Sequence, residues 1–269
     1  MLERRPTRPG QIALVAIVIL YIGILLGAPL AAVGQRAFAS GIDAVIKALT
    51  DKDVLAAFRL TGLLVLAATV INTLAGIALA WVLVRQRFPG RDLINGLVDL
   101  PFVVSPVIIG YVIIIVFGRQ GWFPDLPIQI AFSWPGMLLV TVFVSLPFVT
   151  REVMPVLAAL TREQEEAAQT LGASPLLTFR RVVLPAIWPG VLYGIVLTLA
   201  RALGEFGAVA VAGGGIQGVT ETATIYIFRA LHDRNAIGAY SLAIVLGLAS
   251  IIILLLMNLL RVTPDRKSQ

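Results

Sequence analysis

Long, nearly charge-free apolar runs constrain this chain more than any other feature of its sequence. They lie roughly at Ile12–Val33, Leu60–Val84, Leu97–Phe117, Met137–Val156, Ala186–Ala212 and Ile237–Leu260. A helix of about 20 apolar residues spans the hydrocarbon of a bilayer. Within lipid the backbone must satisfy its own hydrogen bonds, which leaves helices or closed barrels. Continuous runs, as opposed to short alternating segments, select helices. The expected fold is therefore all-α, a polytopic membrane protein with about six transmembrane helices. The composition agrees: 58% of the 269 residues are hydrophobic and 13% charged, against about 25% charged in soluble domains. Six spans leave room only for short loops. The expectation is one transmembrane domain over residues 12–260, between tails at 1–11 and 261–269. A cleaved leader has an apolar core of only about 7 to 15 residues, so the first run is expected to be a retained span.

The formal charge of +6 raises nucleic acid as a partner, but the placement of the charges argues against it. Thirteen of the 21 basic residues fall in one set of alternate connections: at Arg4, Arg5 and Arg8, at Arg85, Arg87 and Arg91, from Arg151 to Arg181, and from Arg261 onward. Seven fall in the other set, and Arg201 lies within a run. An excess of Lys and Arg marks cytoplasmic loops, so both termini are expected in the cytoplasm, with no nucleic acid as partner. Trp122, Phe123, Phe132 and Trp134, in the connection from Gly118 to Pro135, suit the membrane interface. The chain has no cysteine and a single histidine, His232. Disulfides, thiolate metal sites and a Ser-His-Asp triad are thereby disfavoured, and no metal or catalytic cluster is expected.

One connection departs from the membrane pattern, the segment of about 157–185. Thr161-Arg162-Glu163-Gln164 has the form of a capping box, and Glu163, Glu165 and Glu166 crowd the first turns, where the helix dipole favours negative charge. Gly172 supplies a left-handed stop. Ser174-Pro175 opens a second helix, with Ser as cap and Pro at its first position, and Pro185 is expected to turn the chain into the fifth span. Such an arrangement reads either as a solvated amphipathic loop or as a rigid element that passes force from a cytoplasmic partner to a span.

Glu166-Ala167-Ala168, Gly172 and Leu184-Pro185 resemble the EAA loop of importer-type ABC permeases, E-A-A-x(3)-G-x(9)-I-x-L-P, with Val182 at the isoleucine position. The resemblance implies a coupling helix that docks into a cleft of an ATPase subunit, with Glu166, Ala167, Ala168 and Gly172 at that interface and Leu184 and Pro185 completing the motif. Asp99 to Ile108, Phe132 to Met137 and Pro147 to Glu152 resemble sulfate and thiosulfate permease subunits of the CysW type. Ala200 to Val209 is similar to a fifth-span signature shared by sulfate and molybdate permeases, so molybdate or tungstate is the rival substrate. The resemblance implies a type I importer: two permeases (the second a distinct homologue), two ATPase subunits and an extracytoplasmic sulfate-binding protein, in the bacterial inner membrane. It places no cofactor on this chain. The sequence contains no G-x-x-x-x-G-K-[ST], so ATP and magnesium would be bound by the partner subunits. An ion-driven secondary transporter belongs to another class. It commonly shows broken helices in matching positions, and the sequence gives no evident sign of them.

Ionisable groups inside a span are costly and usually functional. Arg201 and Glu205, four apart on the fifth run, can pair. They are candidates for the anion pathway or an outer gate, or else form a salt bridge that packs the spans. Pro101 and Pro106 are expected to bend the third span, with Ser105 as candidate partner for the freed backbone or as a pathway-lining residue. Gly190-x-x-x-Gly194 and Ala200-x-x-x-Gly204-x-x-x-Ala208 favour close helix packing, within the subunit or at a permease–permease interface. The run from Gly213 to Gly218 reads as a flexible connector or a docking surface, and His232 as solvated.

Overall fold

The computed structural model describes residues 9–260. Both predicted tails lie largely outside the described residues, so the basic residues at 4, 5, 8, 261, 266 and 267 carry no structural account. The order of elements is α1 (Pro9–Phe38), α2 (Ile42–Leu49), α3 (Lys52–Arg85), α4 (Arg91–Val98), α5 (Leu100–Val103), α6 (Pro106–Phe117), α7 (Trp134–Ala159), α8 (Arg162–Thr170), α9 (Pro175–Thr178), a π-helical turn (Phe179–Val183), α10 (Leu184–Leu203), α11 (Gly207–Gly213), α12 (Ala223–His232) and α13 (Ala236–Leu260). Among the described residues there are only helices and connections.

Among the described residues, five helices are long and apolar enough to cross a membrane. The third predicted span is the exception. It is interrupted at Val104-Ser105, and its regular part is the 12-residue α6. The fifth is interrupted too, at Gly204-Glu205-Phe206, so that α10 stops at Leu203 and α11 begins at Gly207. Hydropathy did not reveal either break, because single polar residues such as Ser105 and Glu205 are outweighed by their apolar neighbours.

The chain divides into two compact units. The smaller comprises residues up to Asp51 with Ile227–Val245. In it α1 exposes apolar side chains along its whole length, which suits contact with lipid, and Arg36 lies over the Tyr240 ring at 5.8 Å. His232 Nδ1 donates to the Phe228 carbonyl oxygen at 2.8 Å, and the ring packs on that of Phe228.

The larger unit comprises Lys52–Tyr226 and the chain from Leu246. Its centre is α7, packed against α3 and α10. One cluster, with Leu64, Met137, Val140, Val144, Val209 and Ile225, fills one end of these helices, and another, with Ala80, Val149, Val153, Leu157, Val183 and Ile187, fills the other. Close approach is set by missing side chains: a Cβ at Gly194 would lie 2.6 Å from Val149 Cα, and one at Gly76 would lie 2.7 Å from Val149 Cβ. Gly190 likewise meets the Glu152 carbonyl oxygen. The Gly190–Gly194 stripe therefore packs inside the subunit and is not free for a second permease. Polar groups add interhelical hydrogen bonds: Asn72 Nδ2 donates to the Val142 carbonyl and to Ser145 Oγ, both at 3.0 Å.

Pro185 does not turn the chain. Residues Pro175–Leu203 form one continuous helix. Proline lacks a donor and its ring clashes with the carbonyl four residues back. The π turn at Phe179–Val183, immediately before it, widens the helix where that clash would fall.

Candidate functional site

The two helix breaks lie side by side. A Cβ at Gly207 would sit 2.9 Å from Val107 Cγ2, and one at Gly110 would sit 2.8 Å from the Ala208 carbonyl oxygen. α6 and α11 therefore start together and run parallel, each just after an interruption. Ser105 is the N-terminal cap residue of α6, but its side chain makes no capping bond. Its carbonyl oxygen accepts from the amides of Ile108 and Ile109 at 3.0 and 3.3 Å. The expected side-chain repair by Ser105 is thus replaced by ordinary backbone pairing, which leaves the exposed hydroxyl available.

Arg201 and Glu205 do pair, Nη1 to Oε2 at 2.7 Å. They do so across the end of α10 and not along an unbroken helix. Glu205 also accepts from the Ala208 amide through Oε1 at 3.0 Å, so it caps the first turn of α11. Thr224 Oγ1 donates to the Glu205 carbonyl oxygen at 2.7 Å. Thr61, Thr141, Thr222 and Glu205 edge a cavity of about 10 Å³, room for at most one water. Thr141 places this level about 10 Å along α7 from Trp134, at 1.5 Å per residue. Glu205 is buried, whereas the Arg201 side chain is 32% exposed. Gly204, Phe206, Ser105 and Val103, in or beside the two breaks, are exposed. Irregular backbone at membrane depth is tolerated where it is buried in protein or lines water, and not against lipid. A guanidinium has the same requirement. This face is therefore turned toward a partner chain or an aqueous path.

The loop glycines beyond α11 take turn conformations. Gly214, Gly215 and Gly218 have positive φ, and Thr220 Oγ1 donates to the Gly213 carbonyl at 2.7 Å while accepting from the Ile216 amide at 3.0 Å. Nearby, residues from Ile114 to Phe132 line an open bowl of about 820 Å³ that includes Arg119, and Trp122, in the same stretch of chain, is 76% exposed.

At the other end of α7, the EAA-like segment has a definite local meaning. Gly172 takes φ 86°, its amide donates to the Gln169 carbonyl at 2.9 Å, and the Ala173 amide donates to the Ala168 carbonyl at 3.0 Å. This is a Schellman stop. The four-residue interval from Ala168 to Gly172 is the interval it requires. Ser174 caps α9, accepting from the Leu177 amide at 3.4 Å. Thr161 makes no capping bond, contrary to the capping-box expectation. The first turns of α8 are held from outside instead: Arg85 Nη2 donates to Glu165 Oε1 at 2.6 Å and to the Leu160 carbonyl at 3.0 Å, and Arg162 donates to the Arg85 carbonyl at 2.7 Å. Glu166, Ala167, Gly172 and Pro185 are exposed, and Ala168 is half-buried. Leu184 instead packs into the core beside Ile187. Leu171 and Leu176, 89% and 76% exposed, extend the outward face. Also unforeseen is the grip of Arg151 on Asp99, at 2.7 and 2.6 Å, and on Asn95, which ties α7 to α4.

Residues 72–267 match the family of binding-protein-dependent transport system inner membrane components. The chain belongs to that family. It is accordingly a multi-pass inner-membrane component, and not the ATPase, of such a system. It is 44% identical to the sulfate transport system permease protein CysW of Synechococcus elongatus, over 96% of this chain and 92% of that one. It is 43% identical to the Escherichia coli K12 protein of the same name, over 96% and 90%. The related permease CysT of Salmonella typhimurium is 36% identical over 96% and 94%. Among solved structures, a chain of a bacterial alginate ABC transporter in complex with its alginate pentasaccharide-bound periplasmic protein superposes with a TM-score of 0.75, covering 91% of each chain. At 19% identity that likeness establishes the fold, which is that of an ABC importer permease. Membership of this family sets aside the secondary-transporter alternative, even though two spans are broken.

Proposed function

We propose that this chain is a permease subunit of an ATP-driven sulfate or thiosulfate importer and forms half of its translocation pathway. The observation that carries the proposal is the pairing of two adjacent helix breaks with a partly exposed, membrane-embedded arginine. A path for a dianion needs irregular backbone facing water and a cation that does not grip too firmly, since a transit site must also release. Identity of 43–44% to permeases named for sulfate transport supports the substrate.

In this reading both termini are cytoplasmic, and Arg201, Glu205 and Ser105 line the outer half of the path or its gate. Glu166, Ala167, Ala168 and Gly172 meet an ATPase subunit, and Leu184 and Pro185 anchor that contact to α10. A second, homologous permease completes the path, and an extracytoplasmic binding protein delivers sulfate. ATP and magnesium are bound by the ATPase subunits, so the complex and not this chain is the translocase. ATP binding draws the coupling loops together and opens the path outward; hydrolysis returns it inward.

The test is uptake of labelled sulfate into vesicles that carry the whole complex, with ATP on the ATPase side. Uptake that requires ATP and this chain, resists molybdate and yields to thiosulfate is expected. Uptake abolished by modest molybdate reassigns the substrate to molybdate or tungstate, and uptake without ATP overturns the transport class.

A further inference from the structure

A permease that passes a dianion gains nothing obvious from a carboxylate beside the path, yet Glu205 is there, 4% exposed. Its two oxygens have separate tasks. Oε1 is committed to the Ala208 amide at 3.0 Å. Oε2 is buried and finds no hydrogen-bond partner apart from the Arg201 guanidinium 2.7 Å away. The carboxylate is thus fixed by the backbone on one side and spends its other oxygen on Arg201. Arg201 is neutralised from its buried side while a third of its side chain stays open.

Resting on the assignment of Arg201 to the sulfate path, we propose that Glu205 is a resident counter-anion, competing with the passing dianion for Arg201 and so limiting how long the substrate dwells there. An unpaired guanidinium in a low-dielectric setting would hold an oxyanion strongly. The same cation already paired offers only its remaining donors and no net charge. The arrangement attracts and orients sulfate while preventing a trap, and it predicts that removing the carboxylate makes binding tighter and transport slower.

The experiment compares retention of labelled sulfate by the assembled complex in nanodiscs, without binding protein, with ATP-driven uptake in vesicles. Glu205→Gln keeps an acceptor for the Ala208 amide and removes the charge. It is expected to tighten retention about tenfold or more, as an uncompensated buried charge seeks an anion, and to lower the maximal uptake rate. Arg201→Gln combined with Glu205→Gln is expected to lose that retention. Glu205→Asp keeps the charge but falls one methylene short of Arg201, and is expected to tighten retention to an intermediate degree; it carries the test if the Gln variant fails to assemble. Slower uptake with retention no tighter than in the parent overturns the proposal, as does tight retention that persists without Arg201. If the parent complex takes up molybdate in place of sulfate, the substrate assignment fails, and the same comparison made with labelled molybdate decides the role of Glu205.

Discussion

Arg85 Nη2 and Glu165 Oε1 lie 2.6 Å apart, with both side chains largely buried, and so join the end of α3 to the first turns of α8. The contact gives the EAA-like segment two mechanical attachments: this ion pair to α3, and the continuous helix from Pro175 to Leu203 that leads to the breaks. Force applied at Ala167 or Gly172 therefore reaches α3 and α10 together.

Loss of one partner from a buried ion pair costs about 3 kcal/mol or more, because the other charge is left uncompensated. Glu165→Gln is expected to loosen α8. Hydrogen exchange of the amides over residues 162–170 in the assembled complex should speed up, and ATP-driven uptake should fall while membrane insertion is unchanged. Unaltered protection would show that α8 is held by other contacts.

Gly172 combines a positive φ with open space around its Cβ position. Gly172→Ala should cost only about 1 kcal/mol of left-handed strain and retain coupling. Gly172→Arg adds bulk and charge to the outward face and should abolish co-purification with the ATPase while the permease still inserts. Normal co-purification of the Arg variant would remove this segment from the interface.

Gly194 and Gly62 form a matched pair. A Cβ at Gly194 meets the Val149 backbone, whereas one at Gly62 meets nothing within 4 Å. Gly194→Leu should destabilise the purified chain by about 1–3 kcal/mol from overpacking, read as a lower midpoint of thermal unfolding in detergent. Gly62→Ala should be neutral or stabilising by less than about 1 kcal/mol. Equal effects at the two sites would contradict the α7–α10 packing.

Much of this architecture is legible in the residues themselves, because lipid simplifies the problem to apolar length. α3, α7 and α13 overlap the predicted runs, and the stop at Gly172 and the cap at Ser174 follow from local backbone chemistry. The breaks do not show in hydropathy, since Val103-Val104 and Leu203 are as apolar as any span residue and the lost hydrogen bonds leave no mark on composition. Pro106 and the glycines flanking Glu205 were the available signals. The Arg85–Glu165 and Arg151–Asp99 pairs join residues 80 and 52 apart, a separation that only the packing of α3, α4 and α7 brings together. Arg201 and Glu205 were legible as a pair because four-residue spacing is local, but the capping of α11 by Glu205 required knowledge of the break.

The most direct test of the proposed aqueous face uses the absence of native cysteine. Single Ser105→Cys and Leu74→Cys variants of the membrane-embedded complex are treated with a small hydrophilic thiol reagent. Both side chains are exposed on the isolated chain, but Ser105 sits at the twin breaks and Leu74 on an uninterrupted helix. The account predicts rapid modification at 105, accompanied by loss of ATP-driven uptake, and negligible modification at 74. An inert cysteine at 105, or equal reaction at both positions, would contradict a translocation path along the broken third and fifth spans.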